Sequence, residues 1–258
     1  MPRSSKFVLA GIMLVALVCV SVREVRADTL SISGLFAVTP SAGVDFQPAG
    51  GGNGSFSVGT SAGQTGAFVS VAGTPGTIKD LNFVSQPPNQ SFSLTNFIVF
   101  SSNPNLRLDL SFIFLGGGPQ ANCTAVAAPG QQCTPVSAAL VTPANPGGLT
   151  PYTFTNLPAN QSTLSFSVSG TAFNAANGLS SPFNGVFTTQ FNTSYQTQLA
   201  SWSNQSPIVT TYSANFTTTD PLTSTVPEPT TLLLLCSGLV GIASRARLGW
   251  TRPRSMKS

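Results

Sequence analysis

Leu106-Arg107-Leu108-Asp109-Leu110-Ser111-Phe112-Ile113-Phe114 alternates between apolar and mostly polar positions. Successive side chains of a strand point to opposite faces. The spacing therefore predicts a half-buried strand, with Leu106, Leu108, Leu110, Phe112 and Phe114 towards the core and Arg107, Asp109 and Ser111 in water. The same alternation returns in Leu164, Phe166 and Val168 against Ser165, Ser167 and Ser169. It recurs in Phe187, Thr189, Phe191, Thr193 and Tyr195, and in Ile208, Thr210, Tyr212, Ala214 and Phe216. Further strands are expected at 29–38, 54–60, 66–73, 91–100 and 134–142. Turn-forming residues separate them at 48–54, Thr74-Pro75-Gly76, Pro87-Pro88-Asn89, Gly116-Gly117-Gly118-Pro119 and 143–148. Short strands punctuated by glycine and proline, with no long helical pattern, predict an all-β chain folded as a single β-sandwich-like ectodomain.

Both ends of the 258-residue chain depart from this pattern. Charged residues make up only 7%, and their placement divides the molecule. Residues 1–27 hold Arg3, Lys6, Arg23 and Arg26 against Glu24, a net charge of +3. Residues 227–258 hold Arg245, Arg247, Arg252, Arg254 and Lys257 against Glu228, a net charge of +4. Residues 28–226 hold only Lys79 and Arg107 against five aspartates, a net charge of −3. The basic balance thus belongs to the ends, and a mildly acidic body offers no patch for phosphates, which excludes nucleic acid as a partner.

The N-terminus has a basic start, an apolar core from Phe7 to about Val22, and a small-residue finish in Val25-Arg26-Ala27. This is the layout of a secretory signal peptide over 1–27, with cleavage expected between Ala27 and Asp28. Cys123 and Cys133 flank a loop that turns at Pro129-Gly130. In an exported chain without histidine, this pair predicts a disulfide rather than a metal site.

The C-terminus forms a sorting region over 223–258, comprising Val226-Pro227-Glu228-Pro229, an uncharged and mostly apolar stretch at 230–244, and a basic tail at 245–258. Fifteen helical residues span about 22 Å, short of the roughly 30 Å hydrocarbon core, so the flanks must help. Arg245 and Arg247 suit a cytoplasmic stop, because basic flanks stay on that side and long cationic side chains snorkel. Pro227 and Pro229 restrict the backbone and hold Glu228 in an extended segment. Together the Pro-Glu-Pro tripeptide, the short leucine-rich stretch with Ser237, Gly238 and Gly241, and the arginines resemble the PEP-CTERM sorting domain over about 226–247. The resemblance implies a membrane-embedded exosortase, a cysteine transpeptidase-like enzyme that removes the tail, as partner. It also implies an inner-membrane-anchored precursor delivered to the cell envelope, surface or exterior. This chain departs from the family in carrying its charges out to Lys257 rather than in one compact cluster. The stretches from Gly66 through Thr77-Ile78-Lys79-Asp80-Leu81-Asn82, and Phe187-Thr188-Thr189-Gln190-Phe191, are similar to ectodomains of the same bacterial family, a looser likeness that implies no known activity.

The body contains no histidine and no glutamate, which excludes serine–histidine and cysteine–histidine catalysis. A glycosidase pair drawn from Asp45, Asp80 and Asp109 is the remaining catalytic reading. Lys79-Asp80 and Arg107 with Asp109 read instead as solvated charge pairs, and no aspartate-rich loop suggests calcium. The expectation is a non-enzymatic surface or matrix protein with no cofactor and no metal, with exopolysaccharide as a candidate further partner. The alternative is a carbohydrate-binding module or weak glycosidase, which needs an exposed aromatic platform, and Tyr152, Tyr195 and Trp202 are its candidates.

Overall fold

Period-two alternation becomes sheet wherever one face can be covered, and a computed structural model shows how this chain covers it. The structure describes residues 27–39, 42–47, 52–203 and 206–223, all within one unit spanning Val25–Ser224. Most of the expected signal peptide and the whole motif at 226–229, with the stretch at 230–244 and the tail, lie outside the described residues.

Twelve strands are present: β1 (Thr29–Thr39), β2 (Gly43–Phe46), β3 (Asn53–Val58), β4 (Pro75–Lys79), β5 (Leu81–Asn82), β6 (Leu94–Phe100), β7 (Leu106–Ile113), β8 (Gln132–Cys133), β9 (Thr153–Leu157), β10 (Gln161–Asn174), β11 (Leu179–Phe191) and β12 (Ile208–Thr218). Among the described residues a nine-residue helix, α1 (Tyr195–Ser203), joins β11 to β12. The all-β expectation holds. Its two separate layers become a single circuit, because antiparallel pairing runs β1-β3-β4-β6-β7-β10-β11-β12 and returns to β1. The remaining strands extend the circuit, with β2 pairing β1 and β5, β9 pairing β10, and β8 pairing β9.

Inside the circuit the apolar faces meet in an aromatic core. Phe166 and Phe187 stack with centroids 4.6 Å apart, and Phe36 stacks on Tyr212 at 5.1 Å. Phe46 bridges the two stacks at 5.5 Å from both Phe187 and Tyr212. Outward positions are Ser55, Ser57, Thr188, Gln190, Thr211, Ser213 and their like. Apolar inside and hydroxylic outside is the inverse of a membrane-spanning barrel, whose outer face is apolar.

Five stretches differ from the sequence expectation. In β7 the register against β10 slips between Leu110, opposite Gly170, and Phe112, opposite Ser169, so Ser111 is an extra residue. This bulge inverts the alternation beyond it. Ile113 becomes fully buried, Phe114 is 41% exposed, and Phe112 and Phe114 meet edge to face away from the core. The crossing requires Gly170, where a Cβ would collide with the Asp109 carbonyl and the Phe183 ring. Residues 66–73 form no strand: Gly66–Val71 is a 3-10 turn in which Phe68 and Val71 are buried and Val69 is exposed, the three-residue period of that helix. Residues 134–142 are instead a 3-10 turn at Ala138–Leu140, with the side chain of buried Asn145 bonded to Leu140 O, Leu149 O and Leu149 N. The alternation from Phe187 ends as strand at Phe191, and Tyr195 opens α1. Finally, Thr74-Pro75-Gly76 leads directly into β4, with the proline at the strand's first position.

Candidate functional site

The described chain enters at Ala27 and leaves at Thr223, and the two ends are joined. Asp28 is 1% exposed, and its Oδ2 accepts the N–H of Ala67 at 3.1 Å and that of Leu222 at 2.9 Å. Leu222 is fully buried, and its carbonyl accepts from Asn174 Nδ2 at 3.1 Å and Asn177 Nδ2 at 2.9 Å. Both asparagines belong to the β10–β11 hairpin, where Gly178 takes a φ of +72° that L residues rarely adopt. Leu222 is therefore a fixed point four residues ahead of Val226. Asp28, on the far side of the expected cleavage, is the first buried residue among those described.

Cys123, in the 3-10 turn Gln120–Thr124, is bonded to Cys133 of β8, with Cα atoms 5.1 Å apart. The bridge fastens an excursion that also leans on α1. Tyr195 Oη donates to Asn122 O at 2.9 Å, and Gln196 Nε2 reaches Ala125 O at 3.2 Å. Closing a loop of this length stabilises by roughly 2–3 kcal/mol. A Cys123→Ala/Cys133→Ala double variant should lose about that much in urea unfolding, with the slope against denaturant little changed. An unchanged midpoint would show that the bridge adds nothing.

Tyr152, Tyr195 and Trp202 come together, but in the interior. Their exposures are 0%, 0% and 4%, and Trp202 lies 5.3 Å from both Tyr152 and Phe154. Each polar end is satisfied inside: Tyr152 Oη donates to Gly43 O, and Trp202 Nε1 donates to Val38 O at 3.1 Å. Burial pushes the Tyr152 phenol well above its usual pKa. These residues pin α1 against β9 and the end of β1, so the exposed platform required by a carbohydrate-binding module is not built from them.

The aspartates divide. Asp109 Oδ1 accepts the Asn96 N–H at 2.7 Å and pairs with Arg107 Nε at 3.5 Å, while the Arg107 guanidinium covers the Phe173 ring. The pair expected from Lys79-Asp80 is not formed, since Lys79 Nζ donates to Thr95 O at 2.7 Å. Asp80 instead comes close to Asp45 and accepts the Phe46 N–H at 2.8 Å. Desolvation raises the Asp80 pKa above its ordinary 3.8, the Phe46 N–H opposes this, and the Asp45 charge adds to it. A raised folded pKa means stability is lost as pH rises through it. Asp80→Asn keeps an oxygen for Phe46 and removes the charge. Its melting temperature should equal the parent's below pH 3.8 and lie above it at pH 7, as read by melts across that window. A parent more stable than the variant at pH 7 would contradict this. Among the described residues no group of three or more acidic or cysteine side chains is placed to hold a metal.

Residues 225–247 match the family model of the PEP-CTERM protein-sorting motif. No curated protein and no solved structure matches the chain.

Proposed function

With a PEP-CTERM sorting motif at 225–247 as premise, we propose that the chain is an exported, non-enzymatic protein of the bacterial surface or extracellular matrix. It passes the inner membrane behind the leader at 1–27 and is held there by 230–244. It is then released or transferred by an exosortase that reads Pro227-Glu228-Pro229. The match at 225–247 carries this reading.

The folded body supports it in two ways. Asp28 and Leu222 bound the folded unit next to the two signals, so leader and tail can be removed without cutting into a strand. Glu228 follows Leu222 by six residues, a chain length of at most about 20 Å. The non-enzymatic reading is supported by Asp109, which is taken up by Asn96 and Arg107, and by the burial of Tyr152, Tyr195 and Trp202.

The test is the intact mass of the protein recovered outside a host that carries the exosortase. It should begin at Asp28 and lack 245–258. A product that retains the basic tail would overturn the sorting step, and one that retains the leader would overturn the export step.

A further inference from the structure

Asp28 sits at the hub of a buried polar knot. Its Oδ2 accepts from Ala67 and Leu222, its own nitrogen donates to Thr218 Oγ1 at 2.9 Å, and its carbonyl accepts the Thr218 N–H at 2.9 Å. Gly66, at a φ of +56°, passes so close that a Cβ there would run into the carboxylate. These bonds tie the start of β1 to the 3-10 turn at Gly66–Val71 and to the segment that leads out of the fold.

The knot contains no cation. Lys79 and Arg107 are the only basic side chains among the described residues, and both are engaged elsewhere, with Thr95 and Asp109. A carboxylate withdrawn from water is costly until a positive charge joins its hydrogen-bond donors.

We propose that leader removal supplies this charge, and that the new α-ammonium of Asp28 completes a latch fastening the chain's entry to Leu222. The inference rests on cleavage after Ala27. In that hydrolysis the C–N bond of the Ala27–Asp28 peptide breaks. The hydroxyl of water goes to the Ala27 carbonyl carbon, which leaves as a carboxylate, and the protons end on the Asp28 nitrogen as an ammonium. This nitrogen already has its first acceptor in place, since Thr218 Oγ1 donates its own proton to Asp220 O at 2.8 Å and accepts from Asp28. The same cut releases the proton that Thr65 Oγ1 donates to Ala27 O at 3.3 Å, while that oxygen goes on accepting the Thr29 N–H at 2.7 Å. In the precursor the nitrogen is a neutral amide and the carboxylate rests on two N–H donors. Processing at one end therefore tightens the other, where the sorting segment begins.

The test uses the full-length chain made in a bacterial host without exosortase and extracted in detergent at pH 7. Hydrogen exchange read by mass spectrometry compares wild type with Ala27→Tyr, a change at an exposed position that blocks cleavage. Peptides carrying the Ala67 and Leu222 amides should exchange at least about tenfold more slowly in the cleaved chain, and those of the β10–β11 hairpin should not differ. A second variant, Asp28→Asn, is cleaved normally and keeps its oxygen acceptor but lacks the charge, and should exchange at the precursor's rate. Equal exchange in cleaved and uncleaved chains, or full protection in Asp28→Asn, would overturn the latch. An N-terminus other than Asp28 in the wild type would overturn the cleavage reading itself, and the same spectra show which has failed.

Discussion

Glu228→Ala should leave export intact and stop removal of the tail. The proposed leader at 1–27 and the proposed anchor at 230–244 are unchanged in this variant, so translocation and anchoring should proceed. What is lost is the one carboxylate between two prolines. Proline on either side disfavours helix, so on the proposed reading the carboxylate and the restricted backbone beside it are what the enzyme grips. The measurement is an immunoblot of cell fractions with an epitope after Ser258, in a host that carries the exosortase. Wild type should lose the epitope, and Glu228→Ala should accumulate in the membrane with it. If both retain it equally, the segment at 230–244 is a plain anchor and the motif is not being read.

The second large effect belongs to the core. Phe187→Ala should destabilise the body by about 3–5 kcal/mol, because the ring is fully buried and its neighbours are rigid aromatics that cannot collapse into the space. It stacks on Phe166 at 4.6 Å and touches Phe46, Tyr212 and Phe216, each at 5.5 Å. Phe114→Ala is the matched control. The alternation of β7 alone would place Phe114 in the same core and predict a similar loss, whereas its 41% exposure predicts a change within about 1 kcal/mol. Urea unfolding of both variants separates the two views, and similar losses would mean the bulge at Ser111 is not present.

That contrast shows where the sequence was legible. Strands with strict alternation, such as 164–169 and 208–216, lie within β10 and β12, because burial of one face decides them locally. The bulge was not legible, since it depends on Gly170, some sixty residues away, letting β10 cross close to Asp109. The helix at Tyr195 was hidden for a similar reason. Its first N–H is satisfied by Asn156 Oδ1 at 3.0 Å, a partner 39 residues earlier that nothing near Tyr195 announces. Alternation carried the Phe187 pattern past Phe191 only because Thr193 and Tyr195 happen to fall in phase. Of the site residues, the Cys123–Cys133 bridge was readable from a short loop with its own turn. The role of Asp28 was not, since Ala67, Thr218 and Leu222 lie far from it along the chain.

The closed circuit bears on how copies of this chain can meet one another. A strand with a vacant side is a template on which another chain can add itself, and exported proteins at high local density are exposed to that hazard. Here every strand longer than two residues has partners on both sides over at least part of its length, and only β5 and β8 have a single partner. Both are two residues long, and β8 is stapled through Cys133. Neighbouring molecules that meet through their backbones find little to extend. Any layer they build must be cemented by side chains, through the hydroxyl and amide groups that cover the outside of the barrel, and should therefore come apart in solvents that leave each barrel folded.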